Sequence, residues 1–158
     1  MKEVKYAQLS PIESRLIGEA EKAMEKSYNP LSKFYVGAAI LAHNGKIITG
    51  TNVENAAYGP TICAERSAIV RANVMGIRNF DKIAIIAHGK DFDTKEVTGP
   101  CGTCRQVIYE FSRIYKKDIE IIMSTTKKDK IVVATIEELL PFGFGTADLG
   151  IDVSEYRI

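Results

Sequence analysis

The amino-acid sequence predicts an α/β domain, a three-layer α/β/α sandwich in which helices cover both faces of one mixed sheet. Two apolar runs around an Asn-Gly turn indicate an early β-hairpin, and after it segments with strand and helix patterns alternate. The chain has 158 residues, of which 46% are hydrophobic and 26% charged, a balance typical of a globular protein. We therefore expect a single domain that spans residues 1–158 and buries its own core.

Each element is predicted from a local pattern. Ser10-Pro11-Ile12-Glu13 is typical of a helix start, with Ser10 as N-cap and Glu13 completing a capping box, and the helix ends before Tyr28-Asn29-Pro30. The hairpin turns at Asn44-Gly45. Strands are expected over about 35–42, 47–52, 82–87, 119–123 and 131–135, and helices over about 62–75, 102–115 and 136–140. The sheet is thus predicted to have five strands.

Charge and hydropathy narrow the classes of partner. Twenty-one lysines and arginines against 20 acidic residues give a net charge of +1, which lacks the basic excess that favours nucleic acid. The lysines at 116, 117, 127, 128 and 130 are interpreted as an ordinary solvated surface. No apolar run approaches the roughly 18 residues of a membrane span, and the first residues are too polar for a signal peptide. We expect a cytoplasmic protein with no membrane partner.

Three cysteines carry the chemistry that the sequence indicates. Their odd number argues against a disulfide framework. Cys101 and Cys104 stand three positions apart, a spacing that by itself is ambiguous between zinc binding, redox exchange and two core thiols. Cys63 lies 38 residues upstream, also at a predicted helix start, so two adjacent helix N-termini would bring all three thiols together. We interpret them as ligands of one zinc ion.

The number of ligands favours catalysis. Zinc prefers four ligands, and catalytic sites keep one position for water, whereas structural sites fill all four with protein groups. His43 and His88 have no close metal-ligand spacing to a cysteine and are interpreted as surface or packing residues. Three thiolates with an open fourth position therefore predict a catalytic centre.

Charged and polar residues beside the cysteines complete the predicted mechanism. Glu65 lies two residues past Cys63, near enough to exchange protons with zinc-bound water, although a carboxylate at a helix start also has a purely structural explanation. Arg66 can draw negative charge from the thiolates, and Arg105 and Gln106 are candidates for the surrounding shell. A surface position is the alternative for Arg105.

These residues resemble a known family. Cys63-Ala64-Glu65-Arg66 and the segment 100–106, Pro-Cys-Gly-Thr-Cys-Arg-Gln, are similar to the zinc signature of the cytidine deaminases in its three-cysteine form. The likeness continues through 32–39, 52–58 and 139–141 and covers about residues 10–148. It implies that Cys63, Cys101 and Cys104 hold one zinc ion per subunit and that Glu65 shuttles protons.

The resemblance also implies a nucleoside site. Asn52 and Glu54 match the pair that hydrogen-bonds the sugar hydroxyls, a task that suits an amide and a carboxylate. Phe34 matches an aromatic residue beside the nucleoside, and the backbone at Ala64 matches a contact to the pyrimidine. From the residues alone, Asn52 and Glu54 would be loop-end polar groups and Phe34 a core aromatic.

Two aromatic residues match contacts between subunits in that family. Phe144 corresponds to a side chain donated across a subunit boundary, and Tyr58 falls where another such contact is expected. The resemblance therefore implies a homotetramer with shared active sites. The chain departs from the family at Leu31, often an aromatic position, in a longer segment from His88 to Gly99, and in an extra tail over about 148–158.

We expect hydrolytic deamination of cytidine and deoxycytidine to uridine and deoxyuridine with release of ammonia, a reaction of pyrimidine salvage. A blasticidin S-type aminohydrolase is one alternative, but Asn52-Val53-Glu54-Asn55 matches the nucleoside enzymes. Editing of cytosine in RNA or DNA is disfavoured by the neutral charge. A non-enzymatic zinc-binding module is the alternative from a different class.

Overall fold

One mixed β-sheet organises the chain. The computed structural model describes all residues from Met1 to Ile158. Its strands are β1 Lys2–Val4, β2 Phe34–Ala42, β3 Ile47–Thr51, β4 Phe80–Gly89, β5 Phe92–Asp93, β6 Glu120–Ser124 and β7 Ile131–Thr135. Their spatial order is β1-β7-β6-β4-β2-β3, and β5 pairs with the end of β4. Only the β4–β6 pairing is parallel.

Four α-helices connect or cover the strands. They are α1 Pro11–Met24, α2 Ala64–Val74, α3 Gly102–Tyr115 and α4 Ile136–Leu139. The predicted capping box of α1 is confirmed, since Ser10 Oγ accepts the Glu13 N–H while the Glu13 carboxylate accepts the Ser10 N–H. The longest helices have 14 residues, and none has the length and apolarity needed to cross a membrane.

Two apolar cores lie on opposite faces of the sheet. Successive strand residues point to opposite faces, so Ala39 and Ile40 of β2 enter different cores. Leu16 and Ile17 of α1 pack in the core with Ala39, whereas residues from the other three helices pack in the core with Ile40. The sheet is therefore buried from both sides, with α1 on one face and α2, α3 and α4 on the other.

The predicted strand number of five is wrong, because the sheet has seven strands. The two extra strands are β1, which pairs with β7, and the two-residue β5, which pairs with β4 at His88 and Gly89. Both are short, and β1 is mostly polar and exposed. Strands of this kind form because a neighbouring edge offers backbone partners, and they leave no apolar alternation in the sequence.

Glycines allow two helices to lie directly on the sheet. A Cβ atom at Gly37 would lie 2.0 Å from the Ala20 backbone oxygen of α1. A Cβ atom at Gly50 would lie 2.4 Å from the Ala68 nitrogen and 2.5 Å from the Ala64 oxygen of α2. The first turns of α2, which follow Cys63, are thereby seated against the end of β3.

Candidate active site

The three cysteines meet at one point in the structure. Their sulfur atoms all lie within 4.8 Å of one another, and the Sγ atoms of Cys63 and Cys101 are 3.9 Å apart. Cys104 is buried, Cys63 is partly buried and Cys101 is exposed, so the cluster opens to solvent on one side. The fold thus brings together thiols separated by 38 residues in the chain.

The N-termini of α2 and α3 position the thiols. Cys63 is the N-cap residue of α2 and Cys101 that of α3, and Cys104 stands in the first turn of α3. The unpaired N–H groups and the macrodipole at a helix N-terminus favour negative charge, which stabilises thiolates there. The predicted convergence of two helix starts is confirmed by this geometry.

The sulfur spacing fits zinc. A tetrahedral zinc ion with Zn–S bonds of about 2.3 Å holds its sulfurs about 3.8 Å apart, close to the separation of Cys63 and Cys101. Thiolates are also the ligands that select zinc over hard cations such as magnesium. No histidine belongs to the cluster. The donor set is therefore suited to a zinc ion with three protein ligands.

The pKa values of Cys63 and Cys104 are shifted by the interaction between the two thiols, and Arg66 also acts on Cys63. Hydrogen bonding by Cys104, with a further contribution from the Arg66 guanidinium, lowers the pKa of Cys63 to about 5. The reciprocal interaction with Cys63, together with burial, raises the pKa of Cys104. Arg66 Nη2 lies 3.9 Å from Cys63 Sγ and donates a hydrogen bond to the Thr61 carbonyl at 3.1 Å. Binding a cation to all three thiolates consequently releases protons.

Glu65 is a buried carboxyl group beside these thiols. Glu65 is only 4% exposed and lies in the first turn of α2. Burial raises the pKa of Glu65, and the negative charge of Cys63 acts in the same direction. A carboxyl group in such surroundings exchanges protons more readily near neutral pH than an exposed glutamate does.

Glu54 and Tyr58 line a cavity whose wall includes Thr61, two residues before Cys63. The cavity has a volume of about 390 Å³, and its other lining residues are Leu31 and Ser32. The Glu54 carboxylate accepts the backbone N–H groups of Leu31 at 2.8 Å and Ser32 at 3.2 Å. Hydrogen bonding by Ser32 lowers the pKa of Glu54, so this group is an ionised acceptor at neutral pH.

Asn52 is used by the scaffold. Its Oδ1 accepts the Val36 N–H at 3.0 Å, and its Nδ2 donates to the Phe34 carbonyl at 2.9 Å. The amide ties the end of β3 to the beginning of β2, a structural role that sequence reasoning missed. Each polar atom retains one further hydrogen-bonding position, because an amide has two protons and two acceptor lone pairs.

The remaining predicted site residues surround the starts of α2 and α3. Ala64 is fully buried at the first position of α2. Arg105 donates to the carbonyls of Pro100 at 2.8 Å and Leu139 at 3.1 Å, which fixes the turn before Cys101 to α4. Gln106 Nε2 donates to the Phe144 carbonyl at 2.8 Å, and the Phe144 side chain is exposed.

The two histidines lie in surface and packing positions. His43 Nδ1 is 3.2 Å from Asp81 Oδ1, and the His88 ring stacks on Tyr35 with a centroid separation of 4.9 Å. Neither contributes to the cysteine cluster.

Comparisons with known proteins agree with the site. The family model for the "Cytidine and deoxycytidylate deaminase zinc-binding region" matches residues 11–119, an interval that contains the three cysteines and Glu65. The chain is 44% identical to a cytidine deaminase of Sporosarcina psychrophila over 135 residues, 85% of this chain and 93% of that protein. It is 42% identical to one of Halalkalibacterium halodurans over 134 residues, 85% and 95% of the two chains.

A solved structure shows the same fold. The cytidine deaminase of Burkholderia pseudomallei is 39% identical with a TM-score of 0.73, and the match covers 82% of this chain and 97% of that one. Together with these matches, the α/β scaffold and the three convergent thiols at helix N-termini identify a zinc-binding protein of the deaminase class. The chain belongs to the cytidine and deoxycytidylate deaminase family.

Proposed function

We propose that this protein deaminates cytidine and deoxycytidine by hydrolysis, releasing ammonia and the corresponding uracil nucleoside. The observation that carries the proposal is the convergence of three thiols beside the buried carboxyl group of Glu65. The similarity to cytidine deaminases over 85% of the chain supports cytidine as the substrate. A non-enzymatic zinc-binding module would have no need of a buried carboxyl group beside its ligands.

Cys63, Cys101 and Cys104 would hold the zinc ion. Bound zinc supplies Lewis acidity, which makes water a usable nucleophile near neutral pH. Arg66 and the α2 and α3 N-termini offset the negative charge of the three thiolates.

Glu65 is the proposed proton carrier. Its carboxylate takes a proton from the attacking water and delivers it to ring N3, while the oxygen adds to C4. The carboxylate next takes the proton of the new C4 hydroxyl group and passes it to the exocyclic nitrogen, and the C4–N bond breaks as the C4 carbonyl forms and ammonia leaves. The raised pKa of Glu65 suits a group that must gain and lose a proton in each cycle.

The nucleoside is proposed to lie between β2 and the cavity at Glu54. Glu54 and the remaining hydrogen-bonding positions of Asn52 suit the sugar hydroxyls. In this proposal Phe34 lies beside the nucleoside and the Ala64 backbone contacts the pyrimidine, as the family resemblance implies. Tyr58 borders the same cavity as Glu54, which supports a place for it at the sugar.

The assembly proposed for the protein is a homotetramer. Phe144 would reach the active site of a neighbouring subunit, and its 60% exposure supports such a contact. Gln106 and Arg105 then act by holding the Phe144 backbone and the turn before Cys101. Within each subunit we propose one three-layer catalytic domain over residues 1–158, supported by the two cores on the two faces of the sheet.

The test is a substrate comparison with the zinc-loaded protein. We expect ammonia release and a fall in nucleoside absorbance with cytidine and deoxycytidine, and much slower reaction with blasticidin S or a single-stranded oligonucleotide. A zinc-loaded protein that leaves cytidine intact would overturn the proposal. Faster turnover of blasticidin S than of cytidine would instead support the aminohydrolase alternative.

A variant at Glu54 tests the sugar site. Glu54→Ala is expected to raise KM for cytidine about tenfold or more, because a charged hydrogen-bond acceptor is lost. Glu54→Gln keeps a carbonyl acceptor for the N–H groups of residues 31 and 32. Comparison of the two variants therefore separates an effect on the order of this loop from an effect on sugar binding. Glu25→Ala, at an exposed glutamate outside the cavity, is the control. Unchanged KM in Glu54→Ala would show that the sugar is bound elsewhere.

A further inference from the structure

Phe92 is an exposed aromatic residue that the proposed reaction does not yet use. It lies in β5, inside the 88–99 segment that is longer than the family resemblance predicts. Phe92 is 62% exposed, although hydrogen bonds hold the segment around it in place. The Lys90 N–H donates to the Lys33 carbonyl at 2.9 Å, and Thr126 Oγ1 donates to Asp93 Oδ1 at 2.8 Å.

The Phe92 ring lies beside Phe34. Gly89 of β4 is paired directly with Phe34 of β2, and directly paired residues point to the same face of a sheet. A Cβ atom at Gly89 would lie 2.1 Å from the Phe92 ring, so the ring occupies the space above this glycine. The centroids of the Phe34 and Phe92 rings are 6.5 Å apart. Gly89 thus makes room for a second aromatic ring next to Phe34.

This pair lies on the same face and at the same end of the sheet as the cysteine cluster. Phe34 shares its face of β2 with Val36 and Ile40, which pack in the core covered by α2 and α3. Asn52, at the end of β3, binds the Phe34 carbonyl, and α2 begins against the same end of β3 at Gly50. The two rings therefore lie on the face of the sheet that α2 covers, at the end of the sheet where Cys63 precedes α2.

We propose that Phe92 is a further substrate-binding residue, whose ring extends the aromatic surface of Phe34 and contacts the bound pyrimidine nucleoside. The inference rests on the proposed function and adds a residue to that site. A large apolar ring held in water by a hydrogen-bonded turn gains free energy when a planar ligand covers it. Because the contact is present before and during reaction, it contributes to binding and leaves the chemical step unchanged.

Steady-state kinetics test the contact. Phe92→Ala is expected to raise KM for cytidine about three- to tenfold with kcat within about twofold of wild type, as expected for loss of uniform binding. Phe92→Tyr keeps the ring and should restore KM. Asp91→Ala changes the same exposed turn without removing a ring and is the matched control. A KM unchanged in Phe92→Ala, with wild type active, overturns the inference and leaves the proposed function standing.

Fluorescence gives a second readout that is independent of turnover. The chain contains no tryptophan, so Phe92→Trp introduces a single probe at the proposed contact. Titration with uridine, the reaction product, is expected to change its emission with a saturating dependence on concentration. Val74→Trp is the control, since Val74 is 87% exposed and ends α2 about 16 Å along the helix from Cys63. If the Phe92→Trp variant deaminates cytidine but uridine does not change its tryptophan emission, the proposed contact between residue 92 and the nucleoside is contradicted.

The two experiments separate the two proposals. If wild type does not deaminate cytidine, the proposed function fails, and the inference that depends on it fails too. If wild type is active and either the KM of Phe92→Ala or the emission of Phe92→Trp is unchanged, only the proposed role of Phe92 is lost. Melting temperatures of the Phe92 variants within about 2 °C of wild type would show that the KM change does not arise from unfolding.

Discussion

A carboxyl group that is buried beside thiolates is expensive for a protein, and Glu65 shows how the cost is limited. Burial and the nearby charge of Cys63 disfavour its ionised form, which raises its pKa. Its place in the first turn of α2 offsets part of this cost, because the helix N-terminus favours negative charge. At the scale of single residues, Glu65 is thus a carboxyl group whose pKa is raised by burial and by Cys63, at a position where the helix favours its ionised form.

Replacing Glu65 tests its place in the mechanism. Glu65→Gln keeps the shape of the side chain and removes its capacity to carry a proton. We expect one zinc ion per chain to remain, measured by elemental analysis, while kcat for cytidine falls at least about 10²- to 10⁴-fold. Glu25→Gln, at an exposed position, serves as control. Turnover near the wild-type rate in Glu65→Gln would remove the residue from the mechanism.

At the scale of elements, the site depends on where α2 and α3 begin. Each helix brings a cysteine as N-cap, and their separation decides whether the sulfurs share one ion. The position of α2 is set by its direct contact with β3 at Gly50 and by Ser67 Oγ, which donates to the Thr51 carbonyl at 2.8 Å. The metal site is therefore sensitive to helix–sheet packing.

A methyl group at Gly50 tests this dependence. In Gly50→Ala the new Cβ would meet backbone atoms of α2 at 2.4–2.5 Å, so the helix must shift. We expect a loss of stability of about 1–3 kcal/mol, measured by denaturant unfolding, together with weaker zinc retention against a chelator. Gly18→Ala is the matched control, since a Cβ there meets nothing within 4 Å. Normal zinc retention in Gly50→Ala would show that β3 does not position α2.

An ion pair between α1 and the sheet predicts a pH dependence of stability. Lys82 Nζ lies 2.8 Å from the Glu13 carboxylate and also pairs with Glu120. Although partial burial opposes ionisation, hydrogen bonds from Lys82 and Ser10 lower the pKa of Glu13 to about 2 from 4.5. A depressed pKa in the folded state stabilises the protein above pH 4.5, and this contribution is lost as the pH falls from 4.5 toward 2.

The comparison of wild type with Glu13→Gln isolates that contribution. At pH 7 we expect the variant to melt a few degrees lower, as about 1 kcal/mol would produce in a domain of this size. The difference should shrink below pH 4.5, because the wild-type carboxylate is then being protonated. A difference in melting temperature that stays constant from pH 7 to pH 3 would contradict the assignment.

At the scale of the whole molecule, the C-terminal tail joins the far ends of α2 and α3. Arg157 Nε donates to the Ile114 carbonyl at 2.7 Å, and the Tyr115 hydroxyl bonds both the N–H and the carbonyl of Ile158. Arg78, just after α2, donates to the Tyr156 carbonyl at 3.0 Å. The tail lies outside the segment matched by the family model. It therefore acts as a link between the helices at the ends opposite the cysteines.

Removal of residues 150–158 tests that link. We expect a melting temperature several degrees lower, since several hydrogen bonds to the α3 C-terminus are lost. Zinc content and kcat should stay close to wild type, because the tail meets the helices away from the thiols. Tyr115→Phe, which removes only the bridging hydroxyl, should give part of the effect. A truncated protein that retains its melting temperature would show that the tail contributes nothing to stability.

Local patterns predicted much of this protein. The capping box at Ser10, the Asn44-Gly45 turn and the helix over 102–115 are all present, because each depends on residues a few positions apart. The identities of Cys63, Glu65 and the Cys101–Cys104 pair were sufficient to indicate a zinc site, since ligand chemistry belongs to the side chain itself.

The features that sequence reasoning missed depend on contacts between distant segments. The strands β1 and β5 exist because β7 and β4 offer them free backbone groups. Asn52 is occupied by the β2 backbone, and Phe92 lies beside Phe34, through pairings that no local pattern encodes. The sequence by itself determined which side chains are suited to bind zinc and where helices begin. Tertiary structure decided which of these side chains lie close together, because the distances between them result from the packing of two helices and six other strands around β4.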